Sequence, residues 1–228
     1  MPAHKWKGKR TKRKWNKRPF KRSRRLPPLG MPTCKMVRLK YVETISIDPS
    51  SGTVGSYYFC ANDMRDPNVS GVGHQPLYFD QYMSGYDHFT VLGSKIKVTP
   101  TNPTTADIVP VAYGVIVDDN NTFTYQRTEQ IIESNQGRRY KVAGAHNAPM
   151  TKYSNSITRK FSTKKFFKVK NVVGKAEYKG NTSSSPTEKA FFGVWAGSVG
   201  GTDGGNIYLT VEIEYIAMLS EPKYIAQS

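Results

Sequence analysis

The cationic residues at the start of the chain are the side chains whose type and spacing most clearly indicate a binding chemistry. The first 25 residues contain 13 Lys and Arg and no Asp or Glu. Such a block neutralises phosphates and releases their condensed counterions, whatever the base sequence. Aromatic rings between the cations can stack on unpaired bases. The predicted nucleic-acid-binding residues are Lys5, Trp6, Lys7, Lys9, Arg10, Lys12, Arg13, Lys14, Trp15, Lys17, Arg18, Phe20, Lys21, Arg22, Arg24 and Arg25.

The charge of the rest of the chain is nearly balanced. The whole chain has 34 Lys and Arg against 17 Asp and Glu, and the first acidic residue is Glu43. Residues 1–42 hold 16 of the basic residues, so residues 43–228 carry 18 basic and 17 acidic side chains. A block of like charges repels itself and lacks apolar residues to bury, which predicts a disordered basic N-terminal arm that needs a polyanion.

Other roles for this arm compete with nucleic-acid binding or add to it. The clusters KGKRTKRK and KRSRR fit a nuclear-import signal, which would make host import receptors partners. An anionic membrane is a rival target, but residues 1–25 show no amphipathic apolar stripe to insert, so we expect no membrane partner. A solvated tail without a fixed ligand is the remaining alternative.

A second basic stretch, TRKFSTKKFFKVK, covers residues 158–170. Its alternation predicts a strand with an apolar face and a basic face. The basic face is either solvated or a second nucleic-acid surface, with Lys160, Lys164 and Lys168 as its binding residues. On this interpretation the opposite face carries Phe161, Thr163, Phe167 and Val169.

Residues that could perform catalysis or hold a metal are not grouped along the chain. The four histidines are far apart, and two cysteines form neither a disulfide framework nor a four-ligand site. GSVGGTDGG (197–205) is followed by a predicted strand, whereas a phosphate-cradling loop must open a helix, and this favours a plain loop. We therefore predict no enzyme, no metal and no cofactor.

The remaining sequence predicts an all-β protein. LPPLGMPT (26–33) is an extended connector, which gives an arm and linker over 1–33 and a shell domain over 34–228. Eight segments then show the alternation or the β-branched and aromatic composition of strands. This count predicts an eight-stranded jelly roll of two antiparallel sheets, with an immunoglobulin-like sandwich as rival. The segments are 36–47, 54–61, 88–99, 109–117, 138–144, 157–169, 190–198 and 207–219.

Three local features refine this prediction. Short helices are expected within 76–85 and 128–136. The apolar phase slips at Gly93, which predicts a β-bulge. AFFGVWAGS (190–198) is apolar on both faces, so both faces must be buried, by the chain's own core or by another subunit.

The segment HQPLYFDQYMSGYDHFTVLGSKIKVT (74–99) resembles coat proteins of circular single-stranded DNA viruses that encode a replication initiator, the circovirus-like group. In that family a short Y-x-x-x-Y/F helix leads into a strand reading G-S-K-I-x-V. The resemblance implies a shell of sixty copies with T=1 symmetry and arms directed at the genome. Sixty arms with 16 cations each would supply roughly 960 positive charges for phosphates.

The predicted function is therefore that of a viral capsid protein that self-assembles and packages single-stranded DNA, with an RNA genome as the alternative. Its expected locations are the virion and, during assembly, the host nucleus. The loops 62–76, 101–108, 119–128, 145–156 and 171–189 are expected at the outer surface, where they would contact an unidentified cell-surface receptor. The rival interpretations are a nucleic-acid-binding protein of ribosomal or chromatin type with a basic tail, and a carbohydrate-binding jelly roll or enzyme with a localisation tail.

Overall fold

Alternating apolar and polar residues form nine β-strands in the computed structural model, which describes residues 30–50, 53–101, 110–134, 139–143, 156–199, 203 and 205–224. Three short α-helices, α1 (Phe79–Met83), α2 (Thr128–Glu133) and α3 (Thr163–Phe166), join them. The strands are β1 (Cys34–Ile47), β2 (Val54–Cys60), β3 (Tyr86–Thr101), β4 (Val111–Asp118), β5 (Tyr140–Ala143), β6 (Ile157–Ser162), β7 (Lys179–Gly180), β8 (Phe191–Ser198) and β9 (Ile207–Pro222).

The strands pair into two antiparallel sheets with the connectivity of a jelly roll. The first sheet has the order β1-β9-β3-β6, and the second has the order β2-β8-β4-β5. Consecutive strands mostly cross from one sheet to the other, as in two interleaved Greek keys. The two-residue β7 is an addition that pairs with β3 beside β6. The predicted eight-stranded jelly roll is therefore confirmed.

The strand β9 lies at the centre of the first sheet and contributes most regularly to the core. It pairs with β1 along the whole of Cys34–Ile47 and with β3 on its other side. Its alternate side chains point between the sheets and are all buried, as the sequence predicts for a half-buried strand. These residues are Ile207, Leu209, Val211, Ile213, Tyr215, Ala217 and Leu219.

Glu43 interrupts the apolar face of β1, and a polar network accounts for it. The hydroxyl of Tyr41 donates a hydrogen bond to the Glu43 carboxylate. The buried Asn68 amide nitrogen donates to both carboxylate oxygens of Glu43, at 2.9 and 3.1 Å, and to the Tyr57 hydroxyl at 2.8 Å. A carboxylate facing inward is thus satisfied by donors, as a buried polar group must be.

The strand β8 is buried on both faces, and the covering element on its second face belongs to the chain itself. Trp195 is fully buried there and packs with Ile116 of β4 and Ile131 of α2. The indole fits because β4 has Gly114 opposite, where a Cβ atom would lie 2.6 Å from the indole nitrogen. The predicted double burial is confirmed, and the chain's own α2 covers the face.

Both helices expected from sequence are present as α1 and α2, and the expected bulge lies between Val91 and Gly93 of β3. The expectation that the loop 62–76 lies at the outer surface is wrong for its first half. Asp63, Met64 and Asn68 are fully buried. The segment folds back on β2, since Cys60 donates its backbone N–H to the Pro67 carbonyl at 2.8 Å.

The predicted strand 157–169 is wrong beyond Ser162, where β6 ends and α3 begins. β6 pairs with β3 only from Gly93 to Val98, and β7 takes up Phe89 and Thr90. The Val91 carbonyl lies between these two pairings and accepts a 2.6 Å hydrogen bond from the hydroxyl of Thr163, which is fully buried. The bulge ends the pairing of β6 with β3, and the Thr163 side chain donates to the Val91 carbonyl that this pairing leaves without a backbone donor.

We predict that T163V destabilises the fold by about 1–3 kcal/mol, because valine keeps the shape of threonine but leaves the buried Val91 carbonyl without a donor. Urea unfolding of the full chain at neutral pH measures the loss. The matched control is T158V, on an exposed threonine of β6, which we expect to stay within about 0.5 kcal/mol of the unmodified chain. Equal stability of T163V and the unmodified chain contradicts this account of the strand end.

Candidate nucleic-acid interface

The arm residues predicted to bind nucleic acid, from Lys5 to Arg25, lie outside the described residues. Their assignment stays a prediction from sequence. The described part of the chain adds a correction to the charge of that arm, because Lys35, Arg38 and Lys40 belong to β1. Lys35 lies 4.7 Å above the Tyr82 ring. The cationic block that precedes the described strands is therefore the 13 Lys and Arg of residues 1–25.

On the outward face of the first sheet, two glutamates of β9 pair with four further cations. Glu214 contacts Arg38 of β1 at 2.7 Å and Lys95 of β3 at 3.1 Å. Glu212 forms the same kind of bridge between Lys40 at 2.5 Å and Lys97 at 3.4 Å. Two carboxylates of the central strand are thus shared by four cations of the neighbouring strands, so each of these cations has a carboxylate partner and the group keeps half of its positive charge.

These contacts lower the pKa of both glutamates. For Glu212 the main cause is the hydrogen bond from Lys40. For Glu214, desolvation acts in the opposite direction, but the hydrogen bonds from Lys95 and Arg38 outweigh it and lower the pKa overall. Both carboxylates are therefore ionised at neutral pH and hold the strands together by charge as well as by backbone pairing.

The three lysines predicted as a second nucleic-acid surface do not share one strand face. Lys160 lies on β6 directly across from Lys95. Lys164 belongs to α3, and Lys168 follows it in the left-handed region with φ of 55°. All three are exposed. The predicted alternation fails because α3 replaces the extended backbone after Ser162, so their joint role in binding stays a prediction.

A groove of about 950 Å³ lies where the edge of β6 faces the edge of β4 and the residue preceding β5. Arg139, Arg159, Lys160 and Lys165 line it, together with Val117 and the rings of Phe161 and Phe166. We call this the basic groove. Three of its four cations, Arg139, Arg159 and Lys165, were not among the residues predicted from sequence.

The electrostatics of the basic groove differ from those of the sheet face. No lining residue is acidic, and within the described ranges no carboxylate forms an ion pair with its arginines or lysines. Partial burial lowers the pKa of Arg159, and the nearby Arg139 lowers it further. Two guanidinium groups therefore lie close together without a counter-ion from the part of the chain that the structure describes.

Other candidate sites are weaker in the described residues. No group of three His, Cys, Asp or Glu side chains is placed to hold a metal ion among them. GSVGGTDGG connects β8 to β9, a strand rather than a helix, as expected. Asp118 and Asn120 accept hydrogen bonds from the backbone of Asp119 and Thr122, as turn residues do. None of the described helices is long and apolar enough to cross a bilayer.

Comparison with known proteins finds similarity in structure only. No model of a protein family matches the chain, and no curated protein matches it. The 60-mer BFDV capsid protein is 10% identical, with a TM-score of 0.46 over 87% of this chain and 100% of that one. The structure of Macrobrachium rosenbergii nodavirus is 9% identical, with a TM-score of 0.49 over 99% of this chain and 62% of that one. Desmodium yellow mottle tymovirus is 15% identical, with a TM-score of 0.42 over 89% of this chain and 95% of that one.

The bridging glutamates generate a prediction about pH. Because the pKa of Glu212 and Glu214 is lowered in the folded chain, their stabilisation is full above the unfolded value near 4.5 and is lost as pH falls through the folded values. We expect E212Q/E214Q to reduce the free energy of unfolding at pH 7 by about 1 kcal/mol, since solvent screens these pairs. The difference from the unmodified chain should fade below about pH 4.

Thermal or urea unfolding between pH 3 and 8 measures this effect. The control D87N removes an exposed carboxylate of β3 that forms no ion pair among the described residues. Its stability curve should run parallel to that of the unmodified chain. If E212Q/E214Q is as stable at pH 7 as D87N, the two glutamates do not stabilise the sheet and this prediction is wrong.

Proposed function

We propose that the chain is a viral capsid subunit that assembles into a closed shell and packages single-stranded nucleic acid through residues 5–25. The observation that carries this proposal is the separation of charge. Thirteen cations without a single acid precede a jelly-roll body in which basic and acidic residues are nearly equal in number. A strongly cationic segment needs a polyanion, and phosphates supply one.

Exposed apolar residues beside an edge strand support self-association. β1 is at the edge of the first sheet among the described strands, and on its outer side the Val42 carbonyl contacts the His74 ring at 3.0 Å while no described strand pairs with it. Val42 of β1 lies with Leu77 and Tyr78 along a groove of about 420 Å³. These three side chains are 43%, 68% and 60% exposed. Exposed apolar patches of this kind are typical of surfaces that contact another protein, here a second copy of the chain.

The finer parts of the proposal follow from the resemblance to circovirus-like coat proteins. The residues that carry this resemblance are Tyr78 and Tyr82, at the N-cap of α1 and within it, and Gly93 and Ile96 of β3. The proposed shell has T=1 symmetry and the genome is single-stranded DNA. Sixty arms with 13 cations would supply roughly 780 positive charges, fewer than the count that includes β1.

Further roles complete the proposal. The clusters KGKRTKRK and KRSRR serve as a nuclear-import signal, so assembly takes place in the host nucleus. Loops between strands contact a cell-surface receptor. Neutralisation of the arms by the genome couples packaging to shell closure, because arms without a counter-ion repel one another.

Electron microscopy of the purified full chain, with absorbance at 260 and 280 nm on the same fraction, tests this function. We expect uniform closed particles with excess absorbance at 260 nm. A full-length variant with the 13 Lys and Arg of residues 5–25 changed to Gln should lose that excess, because phosphates lose their counter-charge.

The matched control changes only the lysines of the arm to arginine, which keeps the charge and should keep the nucleic acid. A small soluble species that still carries nucleic acid refutes the capsid function and favours the ribosomal or chromatin type of protein. Particles of the glutamine variant that hold a normal amount of nucleic acid refute packaging by the arm.

A further inference from the structure

The two arginines of the basic groove are placed at a cost to the fold. Arg139 precedes β5 and Arg159 lies on β6, so the meeting of two different sheets brings them together. Arginine does not lose its charge at any ordinary pH. Their mutual repulsion and the partial burial of Arg159 therefore destabilise the folded chain until an anion lies between them.

The lining residues indicate which anion fits. Beside the cations, Phe166 is half-buried and packs on Phe161 with ring centroids 5.4 Å apart. A partly exposed ring next to fixed cations is the arrangement that stacks an unpaired base while its phosphates are neutralised. An acidic peptide would use the cations but leave the ring without a matching planar partner. The combination favours single-stranded nucleic acid over a protein segment.

The size of the groove agrees with such a ligand. Its volume of about 950 Å³ is at the upper end of the range for small-molecule sites. It is open to the surface and is not an enclosed cavity. A short stretch of a polynucleotide can therefore lie along it without being enclosed.

We propose that the basic groove binds single-stranded nucleic acid, with phosphates on Arg139, Arg159 and Lys165 and a base against Phe166. The site is fixed on the folded body and is separate in sequence from the cationic block of residues 5–25. The inference rests on the proposed function, because it gives the packaged strand a second contact. It adds Arg139, Arg159 and Lys165 to Lys160, the one lysine of the predicted set that lines the groove.

The salt dependence of binding tests the proposal. Fluorescence anisotropy is measured on the full-length variant whose 13 Lys and Arg of residues 5–25 are changed to Gln, so that the arm does not bind the probe. A labelled oligothymidylate of about ten nucleotides gives the affinity at a series of salt concentrations. We expect R139Q/R159Q/K165Q to reduce the slope of log affinity against log salt by about 2, since each phosphate contact on a single strand contributes about 0.7.

In the same arm background, the control K170Q/K175Q/K223Q removes the same charge from lysines that do not line the groove, and its slope should match that of the arm variant alone. Thermal unfolding of each variant confirms that it is folded. An equal fall in slope for both triple variants means that only total charge matters, and an unchanged slope in the groove variant means that the groove is empty. Either result overturns the proposal.

A second variant tests the base contact. F166L keeps an apolar side chain in the groove, so we expect affinity to fall by about fivefold or more while the salt slope stays unchanged. Unchanged affinity for F166L overturns the assignment to unpaired bases. If the groove triple variant binds the oligonucleotide normally but no longer forms particles, the groove contacts another subunit and the proposal is wrong.

The failure of this inference is distinguishable from the failure of the proposed function. Microscopy of the unmodified chain reports on the capsid function alone, since it does not depend on the groove residues. A chain that binds oligothymidylate but forms no particles refutes the capsid, while the slopes of the variants still decide whether the groove holds nucleic acid.

Discussion

The position of β9 between β1 and β3 is the constraint on which the rest of the structure depends. The last strand of the chain must insert between the first and the third, so the sheet is complete only when residues such as Arg38 and Glu214, 176 positions apart, are adjacent. The same strand provides buried side chains on one face and two bridging glutamates on the other. Core, register and charge balance are thus decided together, through contacts that are almost entirely non-local.

That constraint also determines where positive charge remains without a partner. At the centre of the first sheet, Glu212 and Glu214 face the cations of both neighbouring strands. At the edge, none of the described strands lies beyond β6 to supply such glutamates, and Arg159 and Lys165 line the basic groove there together with Arg139. Whether a basic residue of this protein has a carboxylate partner therefore depends on its place in the sheet. A count of basic residues along the sequence does not show this.

Patterns that repeat within one strand were readable from sequence, whereas features produced by two distant segments were not. The alternation of β9, the helices α1 and α2, and the bulge near Gly93 follow from local composition and phase. The end of β6 does not, because it depends on the hydroxyl of Thr163 meeting the carbonyl of Val91. The partnership of Arg139 and Arg159 likewise exists only after the two sheets have packed.

The cost of the basic groove is itself an argument for its use. Neighbouring glutamates lower the energy of the cations on the sheet face, so this fold has a ready means of neutralising surplus charge. At the groove, burial and like charge act in the unfavourable direction on Arg159, and the lining holds no acid. Destabilising arrangements of this kind are concentrated at functional sites, where a ligand provides what the fold leaves out. The cationic block of residues 5–25 is already proposed to bind phosphates. A single-stranded nucleic acid would supply the counter-ion for that block and for the basic groove alike.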